Sequence, residues 1–223
     1  MPYILNIETA TKNCSITIAK EGKTLLCKEV ADLNYSHAEK LHVFIEEALQ
    51  ELKITYKDLA AIAVSQGPGS YTGLRIGVSA AKGLCYALDI PLLALDTLEV
   101  LAAQVKITEG LIMPMIDARR MEVFSALFTA KLEKIRAVEA EIITEESFLD
   151  LEEKVYFIGD GASKCKTVLT KDNFVFVDEI IYPSAKEMSS MSYAKYLKKD
   201  FVDVAYFEPY YLKDFMITTK KTA

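Results

Sequence analysis

The chain has 223 residues, of which 51% are hydrophobic and 26% charged. That is enough apolar side chain to build a core and argues against a disordered polymer. A net charge of -6 argues against a free-standing nucleic-acid binder, which needs a basic footprint to release counterions. No run of about 18 apolar residues is present to cross a bilayer.

Met1–Glu8 has no basic stretch before its short apolar run, so it reads as a buried strand rather than a signal peptide. Cys14, Cys27, Cys85 and Cys165 are scattered without a CxxC pair. They read as free thiols in a reducing cytosol, small core fillers rather than nucleophiles or ligands.

Three strands are predicted first: Tyr3–Ile7, Cys14–Ala19 and Leu25–Val30, the last two joined by a tight turn at Gly22 and therefore antiparallel. Ser36-His37-Ala38-Glu39 is a capping box opening a helix. Along that helix Ala38, Leu41, Ile45, Ala48 and Leu52 recur at helical spacing, with Phe44 and Leu49 widening the stripe. A strand at Ala60–Ser65, a helix at 74–88 and a strand at Leu92–Leu95 follow, and Asp96-Thr97-Leu98-Glu99 caps a further helix. The first hundred or so residues thus read as βββ-α-β-α-β-α.

The order then recurs more loosely. Strands are predicted at Leu111–Ile116, Glu122–Thr129, Ile135–Ile143, Val155–Ile158 and Phe174–Val177, with a helix capped by Ser184-Ala185-Lys186-Glu187 running to about Lys199. Two related α/β units are expected, 1–107 and 108–223, the second smaller and ending in a polar tail from Thr218.

The segment Gln66-Gly67-Pro68-Gly69-Ser70-Tyr71-Thr72-Gly73-Leu74-Arg75-Ile76-Gly77 lies between a strand and a helix. Its amides and the helix N-terminus can cradle an anion. It lacks the GK[ST] ending of a P-loop. The competing reading is a tight turn into a closely packed helix, with Gly73, Gly77, Ala80 and Ala81 letting another backbone approach. His37 and His42, five apart, point about 140° from each other on a helix and cannot share a metal.

The string GPGSYTGLRIG resembles the signature of the TsaB family, and Ile4-Leu5-Asn6-Ile7-Glu8-Thr9-Ala10-Thr11 is similar to that family's first phosphate-loop strand. Ile116-Asp117-Ala118-Arg119-Arg120-Met121-Glu122-Val123-Phe124, Gly159-Asp160-Gly161-Ala162 and Pro209-Tyr210-Tyr211-Leu212-Lys213 match further stations in order, across nearly the whole chain. The resemblance implies an α/β fold of the actin-like ATPase (ASKHA) class, two tandem βββαβα-type domains with a nucleotide cleft between them. The cleft would comprise Glu8, Thr9, Gly67, Gly69, Asp117, Gly159 and Gly161, and it is expected to be vestigial. Arg119 and Arg120 stand where active relatives want glycines, so their side chains obstruct a close backbone approach; the alternative is that they bind phosphate directly.

The TsaD-type transferase of that system carries an HxxxH metal pair, a spacing this chain lacks. The implied function is that of a non-catalytic subunit which stabilises and activates the transferase. The complex moves threonylcarbamoyl to N6 of the adenosine beside the anticodon of tRNA. ATP and metal are expected on partner subunits and none on this chain. The implied partners are the TsaD-type transferase, a TsaE-type ATPase, a second copy of the chain when the transferase is absent, and tRNA only indirectly. The interface would lie on the two early helices, through Leu41, Phe44, Ile45, Ala48, Gly73, Ile76, Gly77, Ala80, Leu84 and Leu88. The chief rival is an active small-molecule kinase or ATPase of the same fold using Glu8 and Asp117; a peptidase acting on its partner is a third reading.

Overall fold

A computed structural model describes residues 2–31 and 37–212. Tyr3–Glu8 (β1), Asn13–Lys20 (β2) and Lys23–Ala31 (β3) form an antiparallel meander. Between β2 and β3, Glu21 and Gly22 turn with φ of 52° and 77°, the left-handed geometry that a short hairpin connection requires. The helix His37–Leu52 (α1) leads to Leu59–Gly67 (β4), then Tyr71–Leu88 (α2) and Leu92–Asp96 (β5). The Ser36 end of the expected capping box lies outside the described residues, as does Lys213 and the tail beyond it.

β4 pairs with β1 and β5 with β4, both parallel. Parallel neighbours need crossover connections, and α1 and α2 supply them. The resulting order is β3-β2-β1-β4-β5.

Thr97–Ala102 (α3) follows, capped by Asp96, whose carboxylate accepts from the Leu98 amide at 2.9 Å. A second sheet comprises Leu111–Asp117 (β6), Glu122–Thr129 (β7), Lys134–Ile142 (β8), Val155–Ile158 (β9) and Phe174–Phe176 (β10). Its order, β10-β9-β6-β7-β8, repeats the succession of the first sheet from the opposite edge. This is the duplicated α/β arrangement of the actin-like fold. The second copy is reduced: residues 143–154 and 159–173, which occupy the crossover positions, carry turns and one short 3-10 segment at Ser163–Cys165.

Both faces of the first sheet are covered. Leu5, Ile7, Ile16, Ile18, Ile62 and Val64 meet Leu41, Ile45, Ala48 and Leu49 of α1 and Val78, Ala81 and Cys85 of α2. On the opposite face Ile4, Ala61, Ala63, Leu93 and Leu95 meet Val100 of α3 and Ala185 and Met188 of the last helix, Ala185–Lys198 (α4). The chain therefore returns after the second sheet to finish the first. That return explains why β2 alternates in sequence yet is buried on both sides: Ser15 faces α4 and accepts the Ala185 amide at 2.9 Å.

α3 is shared between the sheets. Val100 faces the first, while Leu98, Leu101 and Ala102 pack with Ile112, Ile116, Phe124, Phe128 and Ile158 of the second. Each fully buried leucine there contributes about 1.5–3 kcal/mol by removal from water.

Candidate functional site

The two loops that would line a nucleotide cleft follow β1 and β6. In the first, Glu8 is wholly buried; its Oε1 accepts the Ala10 amide at 2.6 Å and its Oε2 has no hydrogen-bond partner among the described residues. Burial pushes this carboxyl up to about 7, against the opposing pull of the Ala10 amide and the Ser65 hydroxyl. Asn6, on the same strand face, is also wholly buried, and neither atom of its amide group has a partner among the described residues.

The glycine-rich string closes over this loop. Ser70 N–H donates to the Ala10 carbonyl at 2.6 Å, and the Thr9 hydroxyl donates to the Gly73 carbonyl at 2.8 Å. Ser70 caps α2 by accepting the Gly73 amide at 3.3 Å. A Cβ on Gly73 would overlap the Thr9 carbonyl oxygen, and one on Gly77 would overlap the Thr9 hydroxyl. The close-packing reading of GPGSYTGLRIG is thus the one the geometry bears out. The Ser70 and Gly73 amides, candidate anion donors, are bonded within the chain.

Two further ties hold the loop. Gly67 N–H donates to Thr97 Oγ1 at 3.1 Å, and Tyr210 N–H donates to the Gln66 carbonyl at 2.7 Å. His37, almost wholly buried, places Nε2 2.7 Å from the Thr11 carbonyl. A carbonyl only accepts, so Nε2 carries the proton. This histidine pins the start of α1 to the first loop.

The second loop differs in kind. Asp117 is exposed; its carboxylate pairs with the Lys164 ammonium and accepts Arg119 N–H at 3.0 Å. Lys164 also donates to the Glu122 carbonyl at 2.7 Å. Asp160 accepts Asp117 N–H at 3.0 Å, and burial raises its carboxyl despite that bond and the charges of Lys12 and Lys164. Gly159 sits at φ 98°, where a Cβ would overlap the Met115 carbonyl, and Gly161 abuts the backbone of Ile116. These glycines let the loop lie against β6. Arg119 and Arg120 have φ of 73° and 53°, so two bulky residues hold the left-handed conformation that glycine favours.

These residues do not fit a magnesium-bound nucleotide as arranged. The first carboxylate is sealed in the core, the second is ion-paired to a lysine, and the glycines that would approach phosphate approach the chain's own backbone instead.

The expected interface residues divide. Leu41, Ile45 and Ala48 face the first sheet and are fully buried, and Gly73 and Gly77 face the first loop. The expectation that these five meet a partner is corrected, because the sheet and loop already cover them. Phe44, Ile76, Ala80, Leu84 and Leu88 are half-buried at the margin of that core. Beside them Val43 and Tyr86 are exposed, Tyr86 to 86%, and Gly83 has open space where a Cβ would stand. Val43 and Gly83 were not singled out in the sequence. The thiols are held protonated by burial, Cys85 up to about 12 and Cys14 to about 11, as suits fillers.

The family model described as TsaD: tRNA N6-adenosine threonylcarbamoyltransferase matches residues 31–220. The tRNA threonylcarbamoyladenosine biosynthesis protein TsaB of Bacillus subtilis is 33% identical over 171 residues, covering 74% of this chain and 74% of its own. A tRNA N6-adenosine threonylcarbamoyltransferase of Bacillus anthracis is 38% identical over 104 residues, only 40% of this chain and 30% of that enzyme. The solved structure of YeaZ from Pseudomonas aeruginosa superposes with a TM-score of 0.81 at 25% identity, over 95% of this chain and all of that one.

Proposed function

The chain belongs to the TsaB family, and from that premise we propose that it is a non-catalytic subunit in tRNA threonylcarbamoyladenosine synthesis. It stabilises and activates a TsaD-type transferase that moves threonylcarbamoyl to N6 of the adenosine next to the anticodon. The transferase holds the metal, a TsaE-type ATPase handles ATP, and this chain contributes neither. When the transferase is absent it forms a homodimer, and it works in the cytoplasm. Residues 1–107 carry the partner-binding helices, and 108–223 hold the smaller, degenerate sheet together with α4, which packs on the first sheet.

The observation that carries this reading is the state of the two loop carboxylates. Glu8 is buried away from solvent, and Asp117 is committed to Lys164. A chain of this fold with its carboxylates so engaged is suited to shape a neighbour's cleft rather than to act in its own. The half-buried margin of Phe44, Ile76, Ala80, Leu84 and Leu88, next to exposed Tyr86, is the apolar surface available for helix-on-helix docking.

Co-expression with the transferase followed by size-exclusion chromatography tests the reading. A co-eluting complex that dissociates on Leu84→Arg is the expected result. Two proteins that never co-elute would contradict it.

A further inference from the structure

We propose that the β6–β7 turn is a direct contact for the phosphodiester backbone of RNA, made by Arg119 and Arg120. The inference rests on the tRNA-modification reading but adds a contact that reading does not contain.

The turn is built from four residues, Ala118–Met121. Glu122 N–H donates to the Arg119 carbonyl at 3.2 Å and Ala118 N–H to the Glu122 carbonyl at 3.1 Å. The two arginines hold left-handed φ in sequence, a conformation in which each side-chain-bearing residue costs roughly 1–2 kcal/mol. Both are exposed, and neither guanidinium has a hydrogen bond, ion pair or ring contact with a described residue.

The charge balance around the turn makes this unusual. Three carboxylates lie nearby: Asp117, Asp160 and Glu122. Asp117 is matched by Lys164, and Asp160 is half-buried and bonded to the Asp117 amide. Lys12, half-buried in the first loop, acts on Asp160 electrostatically without pairing with it. Four cations, Arg119, Arg120, Lys12 and Lys164, thus stand against three carboxylates, in a chain whose net charge is -6.

Adjacent guanidinium groups on one exposed turn suit anionic oxygens that present several acceptors, and arginine binds phosphate in a two-pronged geometry. A phosphodiester backbone offers such groups in series. An acidic chain meeting RNA through one cationic turn would bind weakly alone and add affinity within a complex.

The test uses fluorescence anisotropy with labelled tRNA, titrated with the complex of this chain and its transferase and, in parallel, with the chain alone. Arg119→Asn/Arg120→Asn removes the charge while keeping residues that tolerate left-handed φ. The expected result is about tenfold weaker tRNA binding, with the slope of log affinity against log salt reduced by about 1.5. The Arg119→Lys/Arg120→Lys variant should retain that slope. Co-elution with the transferase is recorded for every variant; if the parent complex fails to form, the functional reading fails while the chain-alone titration still decides this inference. Unchanged affinity and slope in the Asn variant overturn it. So does displacement of the arginines' function to a small ligand: inorganic pyrophosphate binding that is lost in the Asn variant while tRNA affinity holds.

Discussion

Glu8 shows most clearly how one residue's setting governs behaviour. Its carboxyl is raised by burial from 4.5 to about 7, so the folded state binds a proton that the unfolded state has released between those values. Stability from this group is fully present below the lower value and is lost as pH rises through the upper one, a swing of roughly 3 kcal/mol. His37 works in the other direction, since burial lowers its pKa and the folded form prefers the neutral ring. The informative comparison is therefore between parent and variant. Glu8→Gln should flatten the fall in urea-unfolding stability between pH 5 and pH 8 and be the more stable protein at pH 8. Parallel profiles for the two would contradict the buried, unpaired carboxyl. At the same scale, Cys14 and Cys85 should resist alkylation at pH 8 until the protein is unfolded, because burial keeps both protonated.

Among the elements, α2 carries most of the account because its two sides have different tasks. Its glycines take the first loop: Gly73→Ala would strike the Thr9 carbonyl, which is fixed backbone, whereas Gly77→Ala would strike the Thr9 hydroxyl, which can move only by giving up its bond to the Gly73 carbonyl. Gly73→Ala should therefore cost about 1–3 kcal/mol in urea unfolding, and Gly77→Ala about 1 kcal/mol, the worth of the displaced hydrogen bond. The outer side is separable from the core by charge substitution. Ile45→Asp on α1 buries a charge against the first sheet and should abolish the folded circular dichroism spectrum. Leu84→Arg, at the half-buried margin, should keep that spectrum while co-elution with the transferase is lost.

The order of strands and helices was legible in the sequence because period, caps and turn residues agree locally. β1 to β5 and β6 to β10 lie within a few residues of their expected spans, and Asp96 and Ser184 cap as expected. The close packing of Gly73 and Gly77 was also readable, as one of two alternatives. Contacts made at long range were not. A stripe on α1 or α2 shows that one face is apolar, but only the sheet beneath reveals that Leu41, Ile45 and Ala48 are spent on it. The return of α4 to the first sheet, the pairing of Lys164 with Asp117 across 47 positions and the bond from His37 to Thr11 across 26 have no local signature. Of these, the Lys164 pairing is the one that commits a loop carboxylate.

For the whole molecule, the claim that matters is that an actin-like chain supports a neighbour's reaction without one of its own. The direct measurement is threonylcarbamoyl transfer to tRNA in a purified reconstitution, run beside ATP turnover by this chain alone. The account predicts no turnover by the isolated chain, transfer that requires its presence, and full transfer with the Asp117→Asn variant. ATP hydrolysis by the chain alone that disappears with Asp117→Asn would contradict it.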